Sequence, residues 1–264
     1  MSAASRSDKP TGARITAVTS GKGGVGKTFI TANLAAALAR RGERVLVLDA
    51  DLGLANLDVV LNLYSKITLH DVFMGRVSLE DAILPAPGGF SVLLAGSGMV
   101  EYSRMTPEVG DKLRALITAV RPRYDHVLLD TGAGISDVVL FTISLADEVL
   151  VVATSEPTSL ADAYATVKVL ATTQAARPMH LVVNQVSRMG EGRQVRAQLQ
   201  QVVDRFVNAS RPQPTRLAYV GEIPHDNAVR EAVQRRQLLI DTLPGSAAAK
   251  AFAQVAARML GENA

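Results

Sequence analysis

The first residues whose spacing suits chemistry form a glycine-rich loop near the start of the chain. Residues 21–28 read Gly-Lys-Gly-Gly-Val-Gly-Lys-Thr, directly after the apolar run 15–20. This is the pattern G-x-x-x-x-G-K-[ST], in which glycines let successive backbone N–H groups approach a polyphosphate. Lys27 would bind the β- and γ-phosphates of a nucleoside triphosphate, and the Thr28 hydroxyl would ligate Mg²⁺. The candidate nucleotide-binding residues of the loop are Gly21, Lys22, Gly23, Gly24, Val25, Gly26, Lys27, Thr28 and Phe29.

Aspartates stand at the ends of two further apolar runs. Asp49 and Asp51 close Val-Leu-Val-Leu-Asp-Ala-Asp, and Asp130 closes Val-Leu-Leu-Asp. A carboxylate at a strand end beside a phosphate loop holds nucleotide-bound Mg²⁺, usually through water, which makes Asp130 a candidate metal residue together with Thr28. Asp51 is the candidate for orienting the attacking water, although only one of the two neighbouring acids need be chemical.

The elements that would position these residues alternate along the whole chain. Strands are predicted at 15–20, 44–50, 90–95, 125–130, 148–153, 180–184 and 217–220. Helices are predicted at 27–41, 107–120, 136–145, 159–175, 194–207, 227–236 and 247–260, with two short ones at 69–75 and 78–83. Most strands are continuous Val/Leu/Ile runs, which is typical of strands covered on both faces. The alternation predicts an α/β fold, a doubly wound and mostly parallel sheet of about seven or eight strands with helices on both faces.

Composition narrows the class of protein. The chain has 264 residues, of which 48% are hydrophobic, and contains no cysteine, which excludes disulfides and thiolate metal sites. We expect a single domain over 15–264, preceded by a disordered Ser/Ala/Lys/Pro-rich lead over 1–14. No stretch approaches the roughly 20 apolar residues that span a bilayer, so a cytoplasmic protein is expected.

Lys22 is a second lysine where a phosphate loop needs none. Its side chain cannot easily reach phosphates already served by Lys27, so it could act across a dimer interface in the manner of an arginine finger. A solvated loop lysine is the alternative. From the residues alone, both interpretations stay open.

Three segments together resemble a known family. The motifs over 22–28, 49–51 and 129–131 are similar to those of the deviant Walker-A ATPases of the MinD/ParA type, and the resemblance extends over about 15–260. Segments 48–58, 130–137 and 155–164 resemble its flagellar-number regulator branch, known as FlhG or FleN.

The resemblance implies ATP and Mg²⁺ as cofactors and a homodimer formed when ATP is bound. Lys22 would contact the partner's nucleotide, Lys27 would bind the protein's own, and Asp51 would be needed for slow, dimer-dependent hydrolysis. Segments 51–58 and 131–137 would be the two switches. Recognition of adenine would come from Asn184 and from the loop that carries Pro224, His225 and Asp226.

Partners follow from the same resemblance. A flagellar transcription activator, a signal-recognition-type GTPase (FlhF) and proteins of the flagellar switch ring are the expected ones, although the Asp-Gln-Ala signature that accompanies GTPase stimulation is not visible in 1–14. The apolar face of the helix over 247–260 carries few basic residues, so we expect it to pack on the protein body in preference to the inner face of the cell membrane.

Two other functions fit the same fold. A partition ATPase of the ParA type would bind nonspecific DNA through the arginines that recur between 188 and 236, although a solvated surface explains them better. A metabolic ligase or metal-cofactor maturation enzyme is the third class, in which the lack of cysteine excludes iron–sulfur members. Nucleic acid is therefore not an expected partner.

Overall fold

The computed structural model describes residues 12–52, 55–96 and 105–262. Most of the predicted lead lies outside the described residues, but its boundary at 14 was wrong. Ala13 is buried and its N–H donates to the carbonyl of Arg121 at 2.8 Å, and Arg14 begins the first strand. The fold starts earlier than predicted because the backbone of Ala13 and Arg14 is hydrogen-bonded to residues 121 and 125, which precede the strand His126–Thr131.

Eight strands form one sheet. Their bounds are β1 Arg14–Thr19, β2 Val45–Ala50, β3 Leu84–Pro85, β4 Ser91–Leu93, β5 His126–Thr131, β6 Glu148–Thr154, β7 Met179–Val186 and β8 Leu217–Pro224. The spatial order is β3-β4-β2-β5-β1-β6-β7-β8, and every pair is parallel except β3 with β4. The predicted α/β class and mostly parallel sheet are confirmed. Strand β3 was missed, because two residues are too few to show a strand pattern in the sequence.

Eleven α-helices occur in the described residues. Their bounds are α1 Lys27–Ala39, α2 Leu57–Leu61, α3 Leu69–Phe73, α4 Leu79–Ala82, α5 Pro107–Val120, α6 Asp137–Ser144, α7 Pro157–Thr173, α8 Glu191–Phe206, α9 Asn227–Arg235, α10 Leu239–Thr242 and α11 Ala247–Met259. Helix α7 begins two residues before its predicted start, because proline is well tolerated in the first turn of a helix. Helices α2 and α10 were not predicted.

The core lies on both faces of the sheet. Strands β2, β5 and β6 are buried along their whole length, which explains why they read as unbroken apolar runs. One cluster contains residues of α5, α6, α7 and α8, and the other contains residues of α1, α10 and α11. This two-sided covering leaves the strand ends as the places where polar chemistry is exposed.

The last helix packs on the body of the protein, as its sequence predicted. Val255 and Phe252 are buried, and the ring of Phe252 meets that of Phe29 edge to face with centroids 6.1 Å apart. Within the described ranges, none of the helices has the length and apolar character needed to cross a bilayer.

Candidate nucleotide site

The glycine-rich loop joins β1 to α1 at the carboxyl edge of the sheet and borders a cavity of about 550 Å³. The loop contributes Lys22 and residues 23–29 to the cavity wall. The ends of β2 and β5 contribute two further segments, one with Asp51 and Asn56 and one with Gly132 and Ser136. The structure thus brings the loop and parts of both predicted switches around one space, at the edge where doubly wound sheets bind ligands.

Backbone geometry explains two of the loop glycines. Gly26 caps α1 with φ +90, in the left-handed region that disfavours other residues, and a Cβ there would lie 2.5 Å from Nδ2 of Asn184. Gly21 is required for a different reason, because a Cβ would lie 2.3 Å from the carbonyl oxygen of Asp162 in α7. Gly21 does not line the cavity, so its role in the structure is close packing of the loop against α7.

Lys27 and Asp130 form a buried ion pair. Nζ of Lys27 lies 3.1 Å from Oδ1 of Asp130, and their side chains are 10% and 2% exposed. Oγ1 of Thr31, one helical turn after Lys27, is 3.1 Å from the same carboxylate oxygen. Sequence reasoning missed Thr31, although its i+4 spacing from Lys27 places the two residues on one side of α1. The ion pair joins Lys27, at the start of α1, to Asp130 in β5.

The two neighbouring acids differ in position. Asp51 lines the 550 Å³ cavity, whereas Asp49 lies opposite Asp130 across β2 and β5 and is only 1% exposed. Oδ1 of Asp49 accepts the N–H of Asp51 at 3.3 Å. Burial, and secondarily the charge of Asp130, raises the pKa of Asp49 well above its usual range. Asp49 is therefore poorly suited to be a carboxylate facing the ligand.

Lys22 borders the same cavity as Lys27 but binds different partners. Its Nζ lies 3.2 Å from Oε2 of Glu156 and 3.2 Å from Oγ1 of Thr158, both at the start of α7. Lys22 is 42% exposed, in contrast to the buried Lys27. The two lysines of one loop therefore have separate environments. Glu156 could have been suspected from the sequence only as part of the segment 155–164.

The segment after β5 is tied directly to the phosphate loop. The N–H of Gly134 donates to the carbonyl of Ser20 at 2.8 Å, and Oγ1 of Thr131 donates to that of Val18 at 3.0 Å. These two hydrogen bonds join the end of β5 and the segment after it to β1 and to Ser20, the residue that precedes the loop.

The predicted adenine contacts have structural partners of their own. Nδ2 of Asn184 donates to the carbonyl of Val25 at 2.7 Å, so this amide braces the phosphate loop. The carboxylate of Asp226 accepts the N–H groups of Ala228 and Ala248 at 2.9 and 3.1 Å, which joins the starts of α9 and α11. None of Asn184, Pro224, His225 and Asp226 is among the described residues that line the cavity. Contact of these four residues with adenine stays a prediction.

Known proteins match both the sequence and the fold. Residues 16–240 match the family described as the CobQ/CobB/MinD/ParA nucleotide binding domain. The chain belongs to this family. The antiactivator FleN of Pseudomonas aeruginosa is 42% identical over 246 residues, which cover 93% of this chain and 86% of FleN. The flagellum site-determining protein YlxH of Helicobacter pylori is 29% identical over 255 residues, covering 93% and 81%.

A solved structure extends the comparison. The septum site-determining protein MinD of Pyrococcus horikoshii, determined in complex with Mg-ADP, matches with a TM-score of 0.76 and 27% identity over 94% of this chain and 96% of that one. The predicted resemblance, the P-loop NTPase fold and the cofactors, an adenine nucleotide with Mg²⁺, are confirmed. Family membership supports ATP hydrolysis as the reaction class.

The residues present fit these cofactors. Left-handed glycines give the loop the backbone of an anion cradle, Lys27 brings a cation beside it, and Thr28 lines the same cavity. Oxygen atoms are the ligands that Mg²⁺ prefers, and Thr28 and Asp130 supply them. These two residues are the ones that could hold the metal, Asp130 through water.

Proposed function

We propose that the chain is a slow cytoplasmic ATPase whose ATP-bound form is a homodimer. We further propose that it regulates the number and placement of flagella. One observation carries the first part of the proposal. The two lysines of the loop have different partners and different exposure. Lys27 is buried and pairs with Asp130, whereas the side chain of Lys22 is 42% exposed and pairs with Glu156. A loop that serves a single nucleotide needs only the first lysine, so the second is free to serve the nucleotide of another copy.

The residues have distinct tasks in this mechanism. Bound Mg-ATP supplies the phosphoanhydride bond that is cleaved. Lys27 would bind phosphate oxygens in place of the carboxylate of Asp130, and Thr28 and Asp130 would be the residues that hold Mg²⁺, Asp130 through water. Asp51 orients the attacking water, and Lys22 of the partner neutralises charge on the phosphates.

The switch segments transmit the state of the site. Asp51 begins one segment at the end of β2, and Gly134 bonds the other to Ser20 beside the phosphate loop. Contacts made at the loop when ATP is bound would order these segments and complete the face that joins two copies. Hydrolysis would release the face and return the protein to single copies.

The flagellar task is supported by the relatives. FleN is named an antiactivator and YlxH a flagellum site-determining protein. The proposed partners are accordingly a transcription activator, an FlhF-like GTPase and switch-ring proteins. Partition on DNA is less favoured, because two of the arginines between 188 and 236 are engaged within the chain: Arg196 donates to the carbonyl of Leu217, and Arg235 forms an ion pair with Glu231.

Light scattering of the full chain tests dimerisation. With Mg²⁺ and a non-hydrolysable ATP analogue, the mass should rise from 28.0 kDa to about twice that value. Lys22→Ala should bind nucleotide and lose hydrolysis, whereas Lys66→Ala, which replaces another exposed lysine, should behave as the wild type. A wild-type protein that stays monomeric with the analogue at every concentration would refute the mechanism.

Flagellar number tests the cellular task. Deletion of the gene should change the number of flagella per cell, and the wild-type gene should restore it while the Lys22→Ala gene should not. Unchanged flagella in the deletion strain would refute the flagellar role and leave the ATPase mechanism untouched.

A further inference from the structure

Three arginines converge at the edge of the sheet opposite the nucleotide site. A cavity of about 220 Å³ is lined by Arg177, before β7, and by Arg211 and Arg216, before β8. Strands β7 and β8 each have eight residues, so this edge lies roughly 25 Å from the carboxyl edge at about 3.3 Å per residue. The cavity is thus separate from the phosphate loop and from every residue assigned to it above.

Two of the guanidinium groups are anchored by helix ends. Arg177 donates to the carbonyl of Ile143 in the last turn of α6 and to that of Ala146 after it, and Arg211 donates to the carbonyl of Ala171 in the last turn of α7. In both cases an Nη group makes these bonds. These bonds hold the two guanidinium groups in place but do not use their Nε–H donors, which stay available for a further hydrogen bond.

The two Nε–H donors that make no hydrogen bond are buried. Nε of Arg177 and Nε of Arg211 have no hydrogen-bond partner in the described part of the chain. Desolvation lowers the pKa of Arg177, in the direction expected for a cation held from water without full compensation. A buried charged donor without an acceptor is costly, so an acceptor that reached these Nε atoms would stabilise the arrangement.

The described part of the chain does not provide that acceptor. Within the described ranges, none of the three guanidiniums makes an ion pair. Two acids whose charges act on Arg177 and Arg216 bind other groups directly. Both oxygens of Asp147 bind Arg121 at 2.8 Å, and Oδ1 of Asp204 accepts the side chains of Gln200 and Asn208. Three arginines therefore border one small cavity, and within the described ranges Asp147 and Asp204 act on Arg177 and Arg216 only from beyond ion-pair distance.

We infer that this cavity is a binding site for a small phosphate-class oxyanion. Guanidinium forks match the oxygen spacing of phosphate, and a dianion neutralises three arginines better than a single carboxylate does. A recess of this size admits one small group, which favours free phosphate or a terminal phosphate monoester over the backbone of a nucleic acid. The site is independent of the proposed function.

Calorimetry with inorganic phosphate tests the inference. The full chain is first saturated with Mg-ADP, so that the phosphate loop is occupied, and phosphate is titrated at constant ionic strength. Arg216→Gln is the principal variant, because Arg216 is exposed and caps no helix in the described structure. Arg205→Gln is the control, since its guanidinium lies over the ring of Phe206 outside this cavity.

We expect saturable phosphate binding by the wild type, weakened by about tenfold or more in Arg216→Gln and Arg211→Gln and unchanged in Arg205→Gln. A phosphate monoester that binds equally well would identify a terminal phosphate as the natural source. Absence of saturable binding by the wild type, or equal binding by Arg216→Gln, would overturn the site. Displacement of phosphate by a short DNA duplex, with a steep dependence on salt, would replace the small oxyanion by nucleic acid.

Discussion

Lys22 and Glu156 form an ion pair within one protomer, with Nζ 3.2 Å from Oε2, although the residues stand 134 positions apart. Both side chains are well exposed, at 42% and 64%. Exposed ion pairs contribute little free energy, about 0–1 kcal/mol, so this one is readily exchanged. If Lys22 serves the partner's nucleotide, the contact with Glu156 competes with dimerisation.

Removal of the Glu156 charge should therefore favour the dimer. We expect Glu156→Gln to lower the protein concentration at half-maximal dimerisation, with Mg²⁺ and a non-hydrolysable ATP analogue, by about two- to fivefold. Light scattering over a dilution series measures this concentration. A midpoint that rises instead would indicate that Glu156 supports the dimer interface.

The control for this variant is Glu80→Gln. Glu80 forms an ion pair of the same exposure with Arg123, at 2.7 Å and 64% and 40% exposed, and lies outside the nucleotide site. Its replacement should leave the dimerisation midpoint unchanged. An equal shift in both variants would mean that net charge alone is responsible.

Asp49, near the end of β2, and Asp51, just after it, should differ in their effect on kcat. Asp51→Asn should lower kcat by about 10²-fold or more while the ATP-bound dimer still forms, because Asp51 lines the cavity and a positioned acid–base group contributes this much. Asp49→Asn should lower kcat much less, since an amide oxygen can still accept the N–H of Asp51. Steady-state hydrolysis measures both values. A larger loss in Asp49→Asn would reverse the assignment.

Gly21 should be needed for folding stability and Gly23 should not. A Cβ at Gly21 would overlap the backbone of Asp162, whereas a Cβ at Gly23 would meet nothing within 4 Å. We expect Gly21→Ala to lower the free energy of unfolding by about 1–3 kcal/mol. Gly23→Ala should stay within about 0.5 kcal/mol of the wild type. Urea denaturation compares the two, and equal midpoints would contradict the close packing of the loop on α7.

Glu148 should make stability depend on pH. Burial alone would raise the pKa of Glu148, but hydrogen bonds from His180 and Thr16, at 3.2 and 2.8 Å, outweigh burial and lower it below the usual 4.5. A lowered pKa in the folded state means that the contribution is complete above the unfolded pKa and is lost as pH falls through the folded pKa.

The corresponding variant is Glu148→Gln. Near pH 7 it should lower the free energy of unfolding by about 1–2 kcal/mol, and the difference from the wild type should shrink below about pH 4.5. Urea denaturation across this range measures the difference. Glu231→Gln, which breaks only an exposed pair with Arg235, should show no such dependence. A constant difference at all pH values would contradict an ionised Glu148.

Sequence patterns predicted the elements that are local in the chain. Glycine spacing located the phosphate loop, and continuous apolar runs located six of the eight strands close to their observed positions. A seventh, β4, was placed correctly but is shorter than its run. Strand β3, Leu84–Pro85, was missed because two residues are too few to show a periodic pattern. Its pairing with β4 is a tertiary contact, which no local pattern in the sequence indicates.

The candidate site was also predicted only in part. Lys27, Thr28 and Asp51 were proposed from residue type and local spacing, and the structure places all three around one cavity, while their chemical roles stay predictions. Glu156 and Thr31 were missed as partners of Lys22 and Asp130, since their contacts join segments whose separation in the chain says nothing about distance.

By itself the sequence determined that this chain is a P-loop protein of α/β class. The bend of the glycine-rich loop, the apolar runs of the strands and the starts of the helices are all set by neighbouring residues. Only the tertiary structure decided that Asp51 lines the cavity while Asp49 faces Asp130, and that three arginines surround a second cavity. The register and order of strands determine which ends meet. They result from the packing of the whole core, to which distant segments contribute together.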